Sequence, residues 1–111
     1  MYTWTRYDLA NDVISAKRRG VEVEVKLDRQ MAGGASLPVY ELLIKNGVTV
    51  SLNSGPELLH YKMAWIDEEV LINGSANWTK NAFTVNDDVF MLIYPLTSEQ
   101  NKKLWRLWKR N

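Results

Sequence analysis

The chain contains no cysteine, which excludes disulfide frameworks, thiol nucleophiles and thiolate metal sites together. Its only histidine is His60. A zinc site usually takes three or four ligands, so one built here would be almost wholly carboxylate, and neither metal nor organic cofactor is expected. No apolar run exceeds about five residues, too short to span a bilayer. No charged-then-apolar leader marks a secretory signal, so the expected location is cytoplasmic. Excess charge is absent too: 14 basic residues face 13 acidic ones, for a net charge of +1. Broad nucleic-acid-binding faces are strongly basic, so any electropositive surface must be local. Most of the asymmetry lies in Lys102, Lys103, Arg106, Lys109 and Arg110. What remains is a hydrophobic share of 46 % over 111 residues, enough for one small globular domain, residues 1–111, and too apolar for disorder.

Strand and helix patterns alternate, which points to an α/β class. Tyr2–Trp4 resembles the tail of a strand. Thr5 and Asp8 have capping-box spacing ahead of a helix bearing Leu9, Ala10, Val13 and Ile14, stopped at Gly20. Val21, Val23, Val25 and Leu27 alternate with charged residues as a half-buried strand. Met31–Leu37 is expected to be a flexible connection. Pro38 opens a helix that Asn46-Gly47 closes. Further strands are expected at Val48–Leu52, Leu59–Ile66, Val70–Ile72 and Val89–Tyr94, the last an apolar run that suits a buried strand, with a loop over Gly74–Lys80. Asp67, Glu68 and Glu69 suit a hairpin turn. Thr97 and Gln100 cap a final helix whose Leu104, Trp105, Leu107 and Trp108 share one face. That face is expected to dock on the sheet; an interfacial membrane helix is the alternative.

The informative stretch is HYKMAWIDEEVLINGSANW, residues 60–78. His60 and Lys62, two apart in an extended segment, leave the same face, while Tyr61 and Met63 leave the other. An imidazole beside an ammonium has few purely structural uses, and both suit an oxyanion such as phosphate. Gly74, Ser75 and Asn77 add a glycine-permitted turn, a hydroxyl, an amide and backbone donors. If Val70–Ile72 pairs with the His60 strand, these groups surround one small pocket.

The pattern His60-x-Lys62-x4-Asp67-x6-Gly74-Ser75-x-Asn77 resembles the signature of the phospholipase D superfamily. Its continuation NWTKNAFTVNDD is similar to small nuclease-type members and mitochondrial cardiolipin-hydrolase relatives. Six such positions at fixed spacing would arise by chance on the order of once in a million chains. Tyr2-x-Trp4-Thr5, Arg19-Gly20-Val21-x-Val23 and Gly47-Val48-x-Val50 follow the family's order of elements, so the resemblance covers nearly the whole chain.

The resemblance implies a mixed sheet flanked by helices, and a phosphodiester-cleaving site made from two copies of the motif. One copy is present, so it implies a homodimer. In that scheme His60 is the nucleophile in one subunit and the general acid and base in the other. Lys62 and Asn77 hold phosphate oxygens, and Ser75 donates a hydrogen bond there. Asp67 and Gly74 are structural, and no metal takes part. Asp88 stands where the family has a glutamate that orients the histidine. The family domain carries a further strand-helix segment before Tyr2, so this chain is expected to begin inside it. The expected substrate is nucleic acid, with a phospholipid as the alternative. A phosphate- or polyanion-binding assembly module without turnover is the competing class. Taken singly, the same residues read blandly: a lone structural histidine, a solvated lysine, a polar turn, and Trp78, Tyr61 and Trp65 as packing groups. Their joint spacing favours chemistry.

Overall fold

A computed structural model describes residues 1–110. Helix α1 (Tyr7–Arg18) leads into strand β1 (Glu24–Leu27), then α2 (Arg29–Ala32), α3 (Leu37–Lys45) and β2 (Thr49–Leu52). The second half comprises β3 (Met63–Ile66), β4 (Val70–Gly74), α4 (Lys80–Thr84), β5 (Phe90–Ile93) and α5 (Ser98–Lys109). Strands β1 and β2 pair in parallel, Leu27 opposite Leu52. Strands β3, β4 and β5 form an antiparallel meander in that order.

The first five residues join the two sheets. The Met1 amine donates to Lys26 O, and Asp28 N–H donates to Met1 O at 3.4 Å, flanking Leu27 as a parallel ladder does. On the other side Trp78 N–H donates to Thr3 O and Thr5 N–H to Trp78 O, a parallel bridge between Trp4 and Trp78. The assembly is thus mixed α/β, as the alternating pattern predicts.

The core sits in the first half. Ala10 and Ile14, four apart on α1, and Val39 and Leu43, four apart on α3, turn one helical face each onto Val25, Leu27 and Trp4. Burial of the larger of these, such as Ile14, Val39 and Leu43, contributes roughly 1.5–3 kcal/mol apiece. Gly20 and Gly47 end their helices at positive φ, +92° and +76°, as their positions predict. The 66–69 turn puts both Asp67 and Glu68 at φ 55°, and Glu69 N–H closes it on Ile66 O, which matches the twist of a two-stranded hairpin. Thr97 and Gln100 form the expected capping box. Helix α5 docks through its tryptophans: Trp65 and Trp105 meet edge-on at 4.8 Å, and Trp108 Nε1 donates to Glu24 Oε2.

Local departures from the sequence expectation have identifiable causes. Helix α1 begins at Tyr7 with Arg6 as its cap and no side-chain cap bond; Asp8 pairs with the Arg6 guanidinium instead of acting in a box with Thr5. The 31–37 connection opens with α2, because the Asp28 carboxylate caps Met31 N–H. The 74–80 stretch is shorter than expected: Gly74 closes β4, and Thr79 caps α4. Strand β3 starts at Met63 and not at Leu59, since Leu59 N–H is taken by the Asp28 carboxylate and no ladder partner. Among the described residues no helix is long and apolar enough to cross a membrane.

Candidate active site

His60 and Lys62 sit in the extended approach to β3. Lys62 Nζ lies 3.1 Å from His60 Nδ1 and donates to His60 O at 2.7 Å. The two-residue spacing therefore brings the groups together without a regular strand beneath them. His60 is exposed, whereas Lys62 retains only 9 % of its accessible surface. Burial pushes the Lys62 ammonium below its ordinary pKa, and the negative charge of Asp88 opposes that shift. An exposed imidazole with a sheltered cation suits attack on an anion arriving from solvent.

Tyr2 completes this corner, a contribution the sequence reading missed. Its ring centroid lies 4.6 Å from that of His60, and Lys62 Nζ stands 5.4 Å from the Tyr2 centroid, within cation–π range. The sequence signals were its place at the tail of a strand and in the Tyr2-x-Trp4-Thr5 pattern, and neither points to a histidine 58 positions away.

Beyond β4, Ser75 is stitched to the start of β5. Ser75 N–H donates to Val89 O at 2.8 Å, Val89 N–H to Ser75 Oγ at 3.1 Å, and Ser75 Oγ–H to Asp88 Oδ1 at 2.7 Å. Asp88 is thus placed on Ser75 and makes no direct bond to His60, the family-implied partner. Its charge still reaches Lys62. Gly74 is required for a different reason from the one its turn-like setting suggests. A Cβ there would lie 2.1 Å from Val89 O and 2.4 Å from Phe90 Cα, so the residue permits close approach of β5.

Asn77 accepts Thr3 N–H at Oδ1 at 3.0 Å, which leaves its Nδ2 hydrogens as donors for a ligand. Neighbouring residues Tyr2 and Thr3 therefore touch both halves of the motif, His60 and Asn77. Asp67 lies in the hairpin turn, at the opposite end of β3 from Lys62. Lys62 also forms the polar end of an apolar cavity of about 210 Å³ walled by Leu9, Ile72, Trp78, Phe83 and Phe90. A larger cavity of about 360 Å³, lined by Asp28, Arg29, Asn53, Glu57 and Leu58, contains none of the motif residues. Among the described residues no three His, Asp or Glu side chains converge as metal ligands would.

This fold, with its one His-x-Lys and one Gly-Ser-x-Asn element, defines an α/β domain of the phospholipase D type. Residues 1–108 match the family described as cardiolipin synthase, PLD-like domain, and the chain belongs to that family. It is 30 % identical over 116 residues to the mitochondrial cardiolipin hydrolase of Chlamydomonas reinhardtii, covering 98 % of this chain and 51 % of the relative. Among solved structures it is similar to Nuc, a phospholipase D family member from Salmonella typhimurium. The TM-score is 0.89 at 26 % identity, covering 98 % of this chain and 72 % of that one. It is also similar to NucT from Helicobacter pylori, with a TM-score of 0.82 at 27 % identity, covering 98 % and 74 %. The chain spans about half the length of the curated relatives it matches.

Proposed function

We propose that this chain is a metal-independent phosphodiesterase, a nuclease by preference, acting in a homodimer. The observation that carries the reading is the 3.1 Å pairing of an exposed His60 imidazole with a sheltered Lys62 ammonium. In the proposed mechanism a His60 ring nitrogen attacks phosphorus and the P–O bond to the leaving group breaks, forming a phosphohistidine. His60 of the partner subunit gives its proton to the departing oxygen, then takes one from water. That water oxygen attacks phosphorus, the P–N bond breaks, and a phosphomonoester leaves with His60 restored. Lys62 Nζ and Asn77 Nδ2 from both subunits hold the non-bridging oxygens, where fixed donors are worth most as charge redistributes. Ser75 and Asp88 set the rim of the site next to Lys62.

The test is hydrolysis of bis(p-nitrophenyl) phosphate, DNA and RNA by wild type and His60→Ala. Removal of a nucleophile is expected to cost at least about 10⁴-fold in kcat, with the circular dichroism spectrum unchanged. Activity that survives the substitution rejects His60 as nucleophile, and activity lost on adding chelator rejects the metal-free scheme. Sedimentation tests the dimer, because a strict monomer holds one histidine and not the two the scheme uses.

A phospholipid hydrolase is the second reading. It is favoured by the apolar cavity beside Lys62, which suits an acyl chain, and by the cardiolipin hydrolase relative. Liposome flotation set against nucleic-acid binding over a salt series separates the two substrates. Phosphate binding with no turnover of either would make the chain a binding module.

A further inference from the structure

Strands β1 and β2 are parallel and end in register, Leu27 opposite Leu52. The next residue of each, Asp28 and Asn53, therefore emerges side by side at the carboxyl ends. Both are polar and both are buried, 1 % and 4 % exposed. A buried polar side chain is costly unless its hydrogen bonds are made, and here they go to backbone of the first turn of α2 and of the 57–59 loop. Asp28 Oδ1 accepts Leu59 N–H at 2.9 Å, and Oδ2 accepts Met31 N–H at 3.0 Å. Asn53 Oδ1 accepts Arg29 N–H at 2.7 Å, and Nδ2 donates to Glu57 O at 2.7 Å. Two side chains thus tie the 29–31 segment to the 57–59 segment, and the residue after that segment is His60.

His60 lies outside the β3 ladder, and among the described residues the ring pair and side-chain polar partner it shows are Tyr2 and Lys62. Leu59, in contrast, is 2 % exposed and bound at its N–H to a carboxylate. Bonds to an ionised acceptor are stronger than neutral ones.

We propose that Asp28 and Asn53 are positioning residues for His60: their buried side chains anchor the 57–59 backbone and thereby set where the imidazole stands beside Lys62 and Tyr2. The proposal rests on the phosphodiesterase reading for its catalytic consequence and on geometry alone for the placement of the ring. Neither residue faces the substrate in this scheme. Asp28 and Asn53 also line the larger cavity, which contains no motif residue.

The experiment uses Asp28→Asn and Asn53→Ala in the full chain, with three readouts. His60 is the only histidine, so its imidazole Cε1–Hε1 NMR signal is unambiguous, and the adjacent Tyr2 ring displaces it from the random-coil position. In both variants that signal is expected to move towards random coil. The Leu59 amide is expected to exchange faster in Asp28→Asn, while amides of Ile14 and Leu43 in the core stay protected. On bis(p-nitrophenyl) phosphate, kcat is expected to fall about 10- to 100-fold, since small misplacements of a reacting group cost on this scale, with KM little changed. An unmoved His60 signal overturns the proposal, as does loss of core protection in step with Leu59, which would mean a general structural role. A displaced ring with kcat intact overturns it too. A wild type that cleaves nothing defeats the phosphodiesterase reading instead, and the NMR signal still decides the clamp.

Discussion

Replacing Gly74 by alanine tests how β4 and β5 hold the Ser75–Asp88 rim. The new Cβ would meet Val89 O at 2.1 Å and Phe90 Cα at 2.4 Å, whereas ordinary contact starts at 3.4 Å. Both obstacles are backbone, so no rotamer change relieves them, and β5 must retreat by roughly 1 Å. That retreat stretches the Ser75 N–H bond to Val89 O and the Val89 N–H bond to Ser75 Oγ, now 2.8 and 3.1 Å. Overpacking costs about 1–3 kcal/mol and each of the two lost hydrogen bonds about 1 kcal/mol, so the loss is about 3–5 kcal/mol. For a chain of this size, the midpoint of thermal unfolding should drop by roughly 10–30 °C. Circular dichroism at 222 nm measures it. Gly33→Ala is the matched control: Gly33 has a helical φ of −87°, and its Cβ would stand 3.7 Å from Gln30 O. That variant should melt within a few degrees of wild type, on the side of greater stability, because alanine restricts the unfolded chain. If Gly74→Ala melts no lower than Gly33→Ala, the close-approach argument is wrong.

Two pH effects follow from burial. The Met1 amine is pushed down to about 5, chiefly by burial, with Lys62 adding to the effect and Asp28 opposing it. Between pH 8 and 5 the unfolded chain takes up this proton and the folded chain does not, so stability should rise with pH across that window, by about 4 kcal/mol. Urea titrations of the free-amine and Nα-acetylated chains measure it; equal slopes would refute it, since the acetylated nitrogen keeps its N–H for Lys26 O but cannot titrate. Lys62 loses its proton below the ordinary lysine range because of burial, against the pull of Asp88. The alkaline limb of the pH–rate profile should therefore lie below pH 10.5, with activity lost as pH rises through it. Asp88→Asn should move that limb lower still, and a limb that stays in place would remove Asp88 from the electrostatics of the site.

Several parts of this architecture were legible in the residues before any coordinates. The four-residue spacings on α1 and α3 marked their buried faces, and Gly20 and Gly47 marked their ends. The Val21–Leu27 alternation marked a strand but not its burial: β1 begins at Glu24 and buries Val25, Lys26 and Leu27 in succession, while the Val89–Tyr94 run, expected to be buried, leaves Phe90, Met91 and Leu92 exposed. The His60-x-Lys62 spacing foretold two side chains on one side. These are local properties, fixed by 2.0- and 3.6-residue periods and by backbone sterics. The α2 and α4 turns were missed because their caps, Asp28 and Thr79, stood next to loop-like residues with too few apolar positions to show a period.

Other features depended on where the chain folds back. Asp28 meets Leu59, 31 residues on, and Thr3 meets Asn77, 74 residues on. Tyr2 meets His60, and Asp88 turns to Ser75. A side chain's chemistry announces that it will seek a partner, but which backbone N–H arrives depends on strand register and on segments packed from the far ends of the chain. The residues alone specified the family, most of the helices and strands, and the nearness of His60 to Lys62. Only tertiary structure decided what holds His60 in place, why residue 74 must lack a Cβ, and which groups Asp88 and Asn77 spend on the scaffold, because each is set by distances between segments that share no local period.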